Sequence, residues 1–114
     1  MSANADTESS PTEPIQLTAT DEFAAVVDRY DVLLVDFYAD WCGPCRMMEP
    51  TLEAVAAETD VAVLKVDVDA FQSLAAEYGV QGIPTLLVFA GGQLAEQLVG
   101  AQTKESLLKA IDGV

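Results

Sequence analysis

The chain contains no histidine, only five basic residues and only two cysteines. It also has no apolar stretch approaching the ~18 residues that a membrane-spanning helix needs, so such a helix is excluded. The five lysines and arginines face 19 acidic residues, for a formal net charge of −14. That balance makes nucleic acid and anionic membranes poor partners. Two cysteines without histidine fall short of the four ligands of a zinc site, which could close only between molecules, and an all-cysteine iron-sulfur cluster fails by the same count. The opening segment Met1–Pro14 (MSANADTESSPTEP) lacks the basic start and the apolar run of about 7–15 residues of a secretory signal. The expected location is therefore the cytoplasm.

What is present is apolar and compactly organised. With 51% hydrophobic residues in 114 positions, the chain can build one domain with a core that needs no disulfide staples. The cysteines are thus free for chemistry, and a bond across three positions would restrain the unfolded chain little. Met1–Pro14 is rich in Ser, Thr, Glu and Pro without periodicity and cannot bury enough apolar area to offset its ordering entropy. It is expected to be a disordered tail ahead of a domain spanning residues 15–114. The acidic excess costs stability through self-repulsion unless salt screens it, and the Debye length falls to about 3 Å at 1 M. A salt-rich cytoplasm is the expectation; an ordinary acidic protein is the alternative.

Short apolar runs alternate with amphipathic stretches. Ile15–Leu17 reads as an edge strand, and Thr20 as the cap of a helix with Asp21 and Glu22 in its first turn and Phe23, Val26 and Val27 inward, ending by Asp31. Val32–Ala39 (VLLVDFYA) has the pattern of a central strand covered on both faces. Cysteines follow within WCGPC, and from Cys45 onward Met48, Leu52, Val55 and Ala56 recur at helical spacing, with Pro50 expected to kink the helix. Val61–Val68 is a second buried strand. Asp69 and Gln72 resemble a capping box for a short helix ending near Gly79. Thr85–Phe89 and Leu94–Val99 form a hairpin around Gly91 and Gly92, and Thr103 caps a last helix presenting Leu107, Leu108 and Ile111. The order β α β α β α β β α implies a mixed α/β sheet with helices on both faces, without internal repeats.

Cysteines at i and i+3 in a first helical turn lie on one side of it, within reach of an intramolecular disulfide. Cys42 falls where orphan N–H groups and the helix dipole favour an anion, whereas Cys45 lies one turn inside. Cys42 is therefore the nucleophile. Bringing a thiol from about 8.5 to near 7 requires roughly 2 kcal/mol in favour of the thiolate, which a helix terminus with direct N–H contacts nearly supplies. Asp40 and Glu49 oppose this, and Arg46 assists. A CxxC pair beside a βαβ pattern is a redox signature, against which inert structural cysteines are the bland alternative.

The runs VDFYADWCGPCR and GIPTLLVF, and the later VGA, resemble thioredoxins in identity, order and separation from about Leu17 onward. The resemblance implies the thioredoxin fold, a mixed sheet of about five strands flanked by four helices. It implies that Cys42 attacks a disulfide in a target protein and that Cys45 resolves the mixed disulfide. It also implies that no cofactor beyond the Cys42–Cys45 disulfide and no metal is used. Gly43 and Pro44 resemble the reducing branch, since oxidising relatives usually carry histidine there. By the same resemblance, Asp36 corresponds to the buried acid that manages the resolving cysteine's proton, and Lys65 to its lysine neighbour. Asp36 lies in an otherwise apolar run, where a carboxylate is costly unless it has a role; a side chain bent to solvent is the alternative. Pro84 matches the family's cis-proline, and Trp41, Gly82, Ile83, Gly100 and Ala101 its substrate groove. Simple packing is the alternative for Trp41, and turn geometry for the glycines. The expected partners are disulfide-containing proteins and a thioredoxin-reductase-like electron donor, with the chain acting as a monomeric electron carrier in cell redox homeostasis. A redox-independent structural subunit or binding module is the rival class. Tyr38 replaces a tryptophan common in relatives, and the acidic surface bears on which reductase docks.

Overall fold

Val32–Tyr38 is apolar at nearly every position because both of its faces are covered, and it forms the middle strand, β2, of a five-stranded sheet. A computed structural model describes residues 10–114. Of the expected tail, residues 1–9 lie outside the described residues, and Ser10–Pro14 adopt neither helix nor strand. The remaining strands are β1 (Ile15–Gln16), β3 (Ala62–Asp67), β4 (Thr85–Ala90) and β5 (Gln93–Val99), in the order β1-β3-β2-β4-β5. β3 runs parallel to β1 and β2, whereas β4 and β5 are antiparallel to their neighbours, so the sheet is mixed.

Alternation along β2 sends Leu33, Val35 and Phe37 into one core layer and Leu34 into the other. The first layer is closed by α1 (Glu22–Arg29) through Phe23, Val26 and Val27, and by α4 (Gln72–Glu77) through Leu74 and Ala75. The second is closed by α3 (Glu49–Glu58) through Leu52, Val55 and Ala56, and by α5 (Lys104–Asp112) through Leu107. A further segment, α2 (Gly43–Met47), leads into α3. The two are one helix interrupted at Met48, whose N–H bonds to Cys45 O, and Pro50 occupies the first turn of α3. This is the kink expected from Pro50, and counting α2 and α3 together gives four helices.

Two capping expectations are corrected. Thr20 does not cap α1. Instead, Glu22 reaches back to accept from Thr18 N and Thr18 Oγ1, at 3.2 and 2.9 Å. Asp69 does not cap α4 either, because its N–H is engaged by Asp67 Oδ1 at 2.9 Å and its own carboxylate is committed elsewhere. Thr103 does cap α5, accepting from Ser106 N at 3.0 Å. The β4–β5 turn uses Gly91 and Gly92 at φ 59° and 82°, the left-handed pair that matches the twist of a two-residue hairpin.

Candidate active site

β2 ends at Tyr38, and the chain leaves the middle of the sheet through Ala39–Trp41 before α2 begins. Cys42 is the N-cap of α2 and Cys45 lies within its first turn, with Cα atoms 5.2 Å apart, and the two are joined by a disulfide. The Cys42 sulfur accepts the N–H of Cys45 at 3.2 Å, a contact that would equally favour a thiolate at Cys42. Both cysteines are largely covered, packed with Tyr38 and Ala39 and flanked by Val68 and Ile83.

Beside the sulfurs lies the segment preceding β4. Ile83 O is 4.0 Å from Cys42 Sγ, and the Ile83–Pro84 peptide is cis, as the resemblance implied for Pro84. Gly82 is exposed, and a side chain there would meet Val99 Cγ1. The N–H of Gly100 donates to Pro84 O at 2.8 Å, which brings the Gly100–Ala101 loop to the same rim. The loop is held from behind, where Gln102 N donates to Met48 Sδ at 3.4 Å and Gln102 Nε2 to Gly100 O at 3.0 Å. Gly43, Pro44 and Ala101 are exposed.

Trp41 is 70% exposed, so the packing alternative does not hold for it. Its indole Nε1 donates to Asp69 Oδ2 at 2.8 Å, which fixes an apolar ring at the rim of the disulfide. Asp69, expected as a helix cap, is thereby taken by the indole. Val99, 65% exposed beside Gly82, is not among the expected site residues, because alternation in an edge strand does not single out one exposed apolar residue.

Asp36 is 1% exposed, which sets aside the solvent-facing alternative. It shares the face of β2 that carries Leu34, its register partners are Lys65 on β3 and Leu86 on β4, and its Oδ1 has no hydrogen-bond partner among the described residues. Burial pushes its pKa up to about 7, with the Lys65 charge pulling it down and the Glu49 charge pushing it further up. Lys65 lies 4.3 Å from the centroid of the Tyr38 ring and pairs with Glu49 Oε2 at 3.3 Å. The site thus combines a dithiol/disulfide pair, a buried carboxyl titrating near neutrality, and a rim that includes the exposed Trp41, Gly82 and Ala101. Among the described residues, no group of three or more His, Cys, Asp or Glu is arranged to hold a metal ion.

A family model described as thioredoxin matches residues 14–113. The chain is 46% identical over 98 residues to the thioredoxin of Chlamydia muridarum, covering 85% of this chain and 95% of that protein. It is 42% identical over 102 residues to the bifunctional thioredoxin reductase/thioredoxin of Mycobacterium leprae, covering 88% of this chain and 22% of that longer protein. Among solved structures, a mutant thioredoxin from Halobacterium salinarum superposes with a TM-score of 0.88 at 48% identity, covering 92% of this chain and 93% of that one.

Proposed function

The chain belongs to the thioredoxin family, and from that premise we propose how its residues divide the thiol/disulfide oxidoreduction that it carries out. Cys42, as a thiolate, attacks one sulfur of a target disulfide; the target's S–S bond breaks, a mixed disulfide forms, and one target sulfur leaves as a thiolate that takes up a proton. Cys45 then gives its thiol proton to the Asp36 carboxylate and attacks the Cys42 sulfur. The mixed disulfide breaks, the Cys42–Cys45 bond forms, and the second target sulfur leaves. Two electrons pass to the target, and the protein is left in the disulfide form. Asp36 suits the second step because a carboxyl titrating at about 7 is substantially ionised, and so able to accept a proton, near neutral pH.

Trp41, Gly82, Ile83, Pro84, Gly100 and Ala101 form the surface on which an extended target segment would lie, with strand-like pairing to the backbone that precedes Pro84. Lys65 acts on Asp36, and Gly43 and Pro44 space the cysteines. The electron donor is a thioredoxin-reductase-like protein, a reading supported by the relative whose name joins both activities in one chain. The working compartment is a salt-rich cytoplasm, supported by the net charge of −14 and by the likeness to a Halobacterium protein. The observation that carries the assignment is the Cys42 sulfur at a helix start, bonded to the Cys45 N–H and 4.0 Å from Ile83 O.

The test is reduction of insulin disulfides by the parent, Cys42→Ser and Cys45→Ser, combined with trapping on Cys45→Ser. Both variants should lose turnover, and Cys45→Ser alone should accumulate mixed disulfides at Cys42. Accumulation on Cys42→Ser instead would reverse the roles.

A further inference from the structure

Lys65 stands beside Asp36 in the β2–β3 register, yet among the described residues its ammonium makes no ion pair with that carboxyl. It is drawn the other way. Its Nζ lies 3.3 Å from Glu49 Oε2 and over the Tyr38 ring, whose hydroxyl is in turn fixed by Gln16 Nε2 at 2.8 Å. Lys65 and Glu49 line a cleft of about 250 Å³ together with Glu13, Pro14, Leu52 and Glu53. Glu49 is the first residue of α3, four positions after Cys45, so the interrupted helix that carries the resolving cysteine also carries the carboxylate that holds Lys65.

We propose that Glu49 is a positioning residue for proton transfer: by holding the Lys65 ammonium at the cleft, it keeps the buried Asp36 carboxylate basic enough to take the Cys45 proton. The charged groups acting on Asp36 are Lys65 from β3 and Glu49 from α3, and its register partner on β4 is the uncharged Leu86. Glu13 and Glu53 also line the cleft, Glu53 on the same helix as Glu49. Neutralising Glu49 would release Lys65 to act on Asp36 and would remove a nearby negative charge. Both changes favour the carboxylate. The inference rests on Asp36 as the proton acceptor, so its test separates the coupling from the use made of it.

The experiment titrates the Asp36 carboxyl by carbon NMR in the oxidised protein, where the cysteines carry no proton. The parent is compared with Glu49→Gln and Glu49→Asp, and the parent and Glu49→Gln are each also measured in a Lys65→Met background. Glu49→Gln should lower the proton affinity of Asp36 by roughly 3–10-fold, and Glu49→Asp should restore most of it. In the Lys65→Met background the Glu49→Gln effect should shrink to the smaller part due to the Glu49 charge itself, because the rest of the coupling runs through the ammonium. The pH profile of the single-turnover resolving step should move by the same factor as the titration. No change in the first comparison, or an equal change without Lys65, overturns the proposal. A shifted titration with an unmoved rate profile would leave the coupling standing but overturn Asp36 as the acceptor, and with it the role given to Glu49.

Discussion

Replacing Asp36 with Asn should make the protein more stable and a slower reductase, and the two effects should appear together. In the unfolded chain the carboxyl titrates near its ordinary value of 3.8, whereas burial raises it to about 7 in the folded protein. The folded state therefore retains a proton that the unfolded state has released, and the stability contributed by this group is complete below pH 3.8 and is lost as pH rises to about 7. At about 1.4 kcal/mol per unit, the loss at neutral pH approaches roughly 4 kcal/mol. Asparagine keeps the shape and removes the titration but leaves a buried amide short of partners, at a cost of about 1–3 kcal/mol. The net gain at pH 7 is then on the order of 1–3 kcal/mol, or about 4 °C in Tm for each kcal/mol. The advantage must vanish toward pH 4, where Asp36 is already neutral. Denaturant melts of the oxidised parent and variant between pH 4 and 8 read this directly. Single-turnover reduction of a protein disulfide at pH 7 should show the resolving step slowed on the order of 10-fold or more. A variant that is less stable at pH 7 and equally fast, or a stability difference that does not change with pH, would refute the reasoning.

Limited alkylation of the reduced protein near neutral pH should label Cys42 well before Cys45, as read by peptide mass mapping; equal rates would contradict the assigned roles. Thermal stability should rise as monovalent salt goes from low to molar concentration, since screening relieves the repulsion of a net charge of −14; a flat or falling Tm would count against salt adaptation while leaving the redox chemistry untouched. Thr103→Ala removes the side-chain cap of α5 and should cost about 1 kcal/mol in denaturant melts, with Thr103→Ser retaining most of it.

The parts of this molecule legible in its sequence are those governed by periodicity and local chemistry. Val32–Ala39 reads as a central strand because both faces are apolar, and Val32–Tyr38 forms it; Asp36 stands out because a carboxylate does not belong in such a run. The caps fared unevenly for a physical reason. A side-chain oxygen near a helix start has several competing donors, so Thr103 serves its own helix while Asp69 is taken by the Trp41 indole, 28 residues away. Contacts of that kind, like the approach of Val99 to Gly82 or of Gln102 to Met48, depend on which loops the sheet order brings together, and no local pattern encodes them. Glu49 could be read as a charge near the cysteines, but its hold on Lys65 required the β3–α3 packing to be known.

The break at Met48 has a mechanical meaning. The reactive turn rides on five residues of α2, while the ten residues of α3 behind the break are anchored in the core by Leu52, Val55 and Ala56. Because the regular hydrogen-bond ladder is interrupted at the junction, displacements of the sulfurs during each catalytic cycle need not travel down the longer helix as rigid-body motion. The joint thus separates the turn that carries the sulfurs from the longer helix that packs on the sheet holding Asp36 and Lys65.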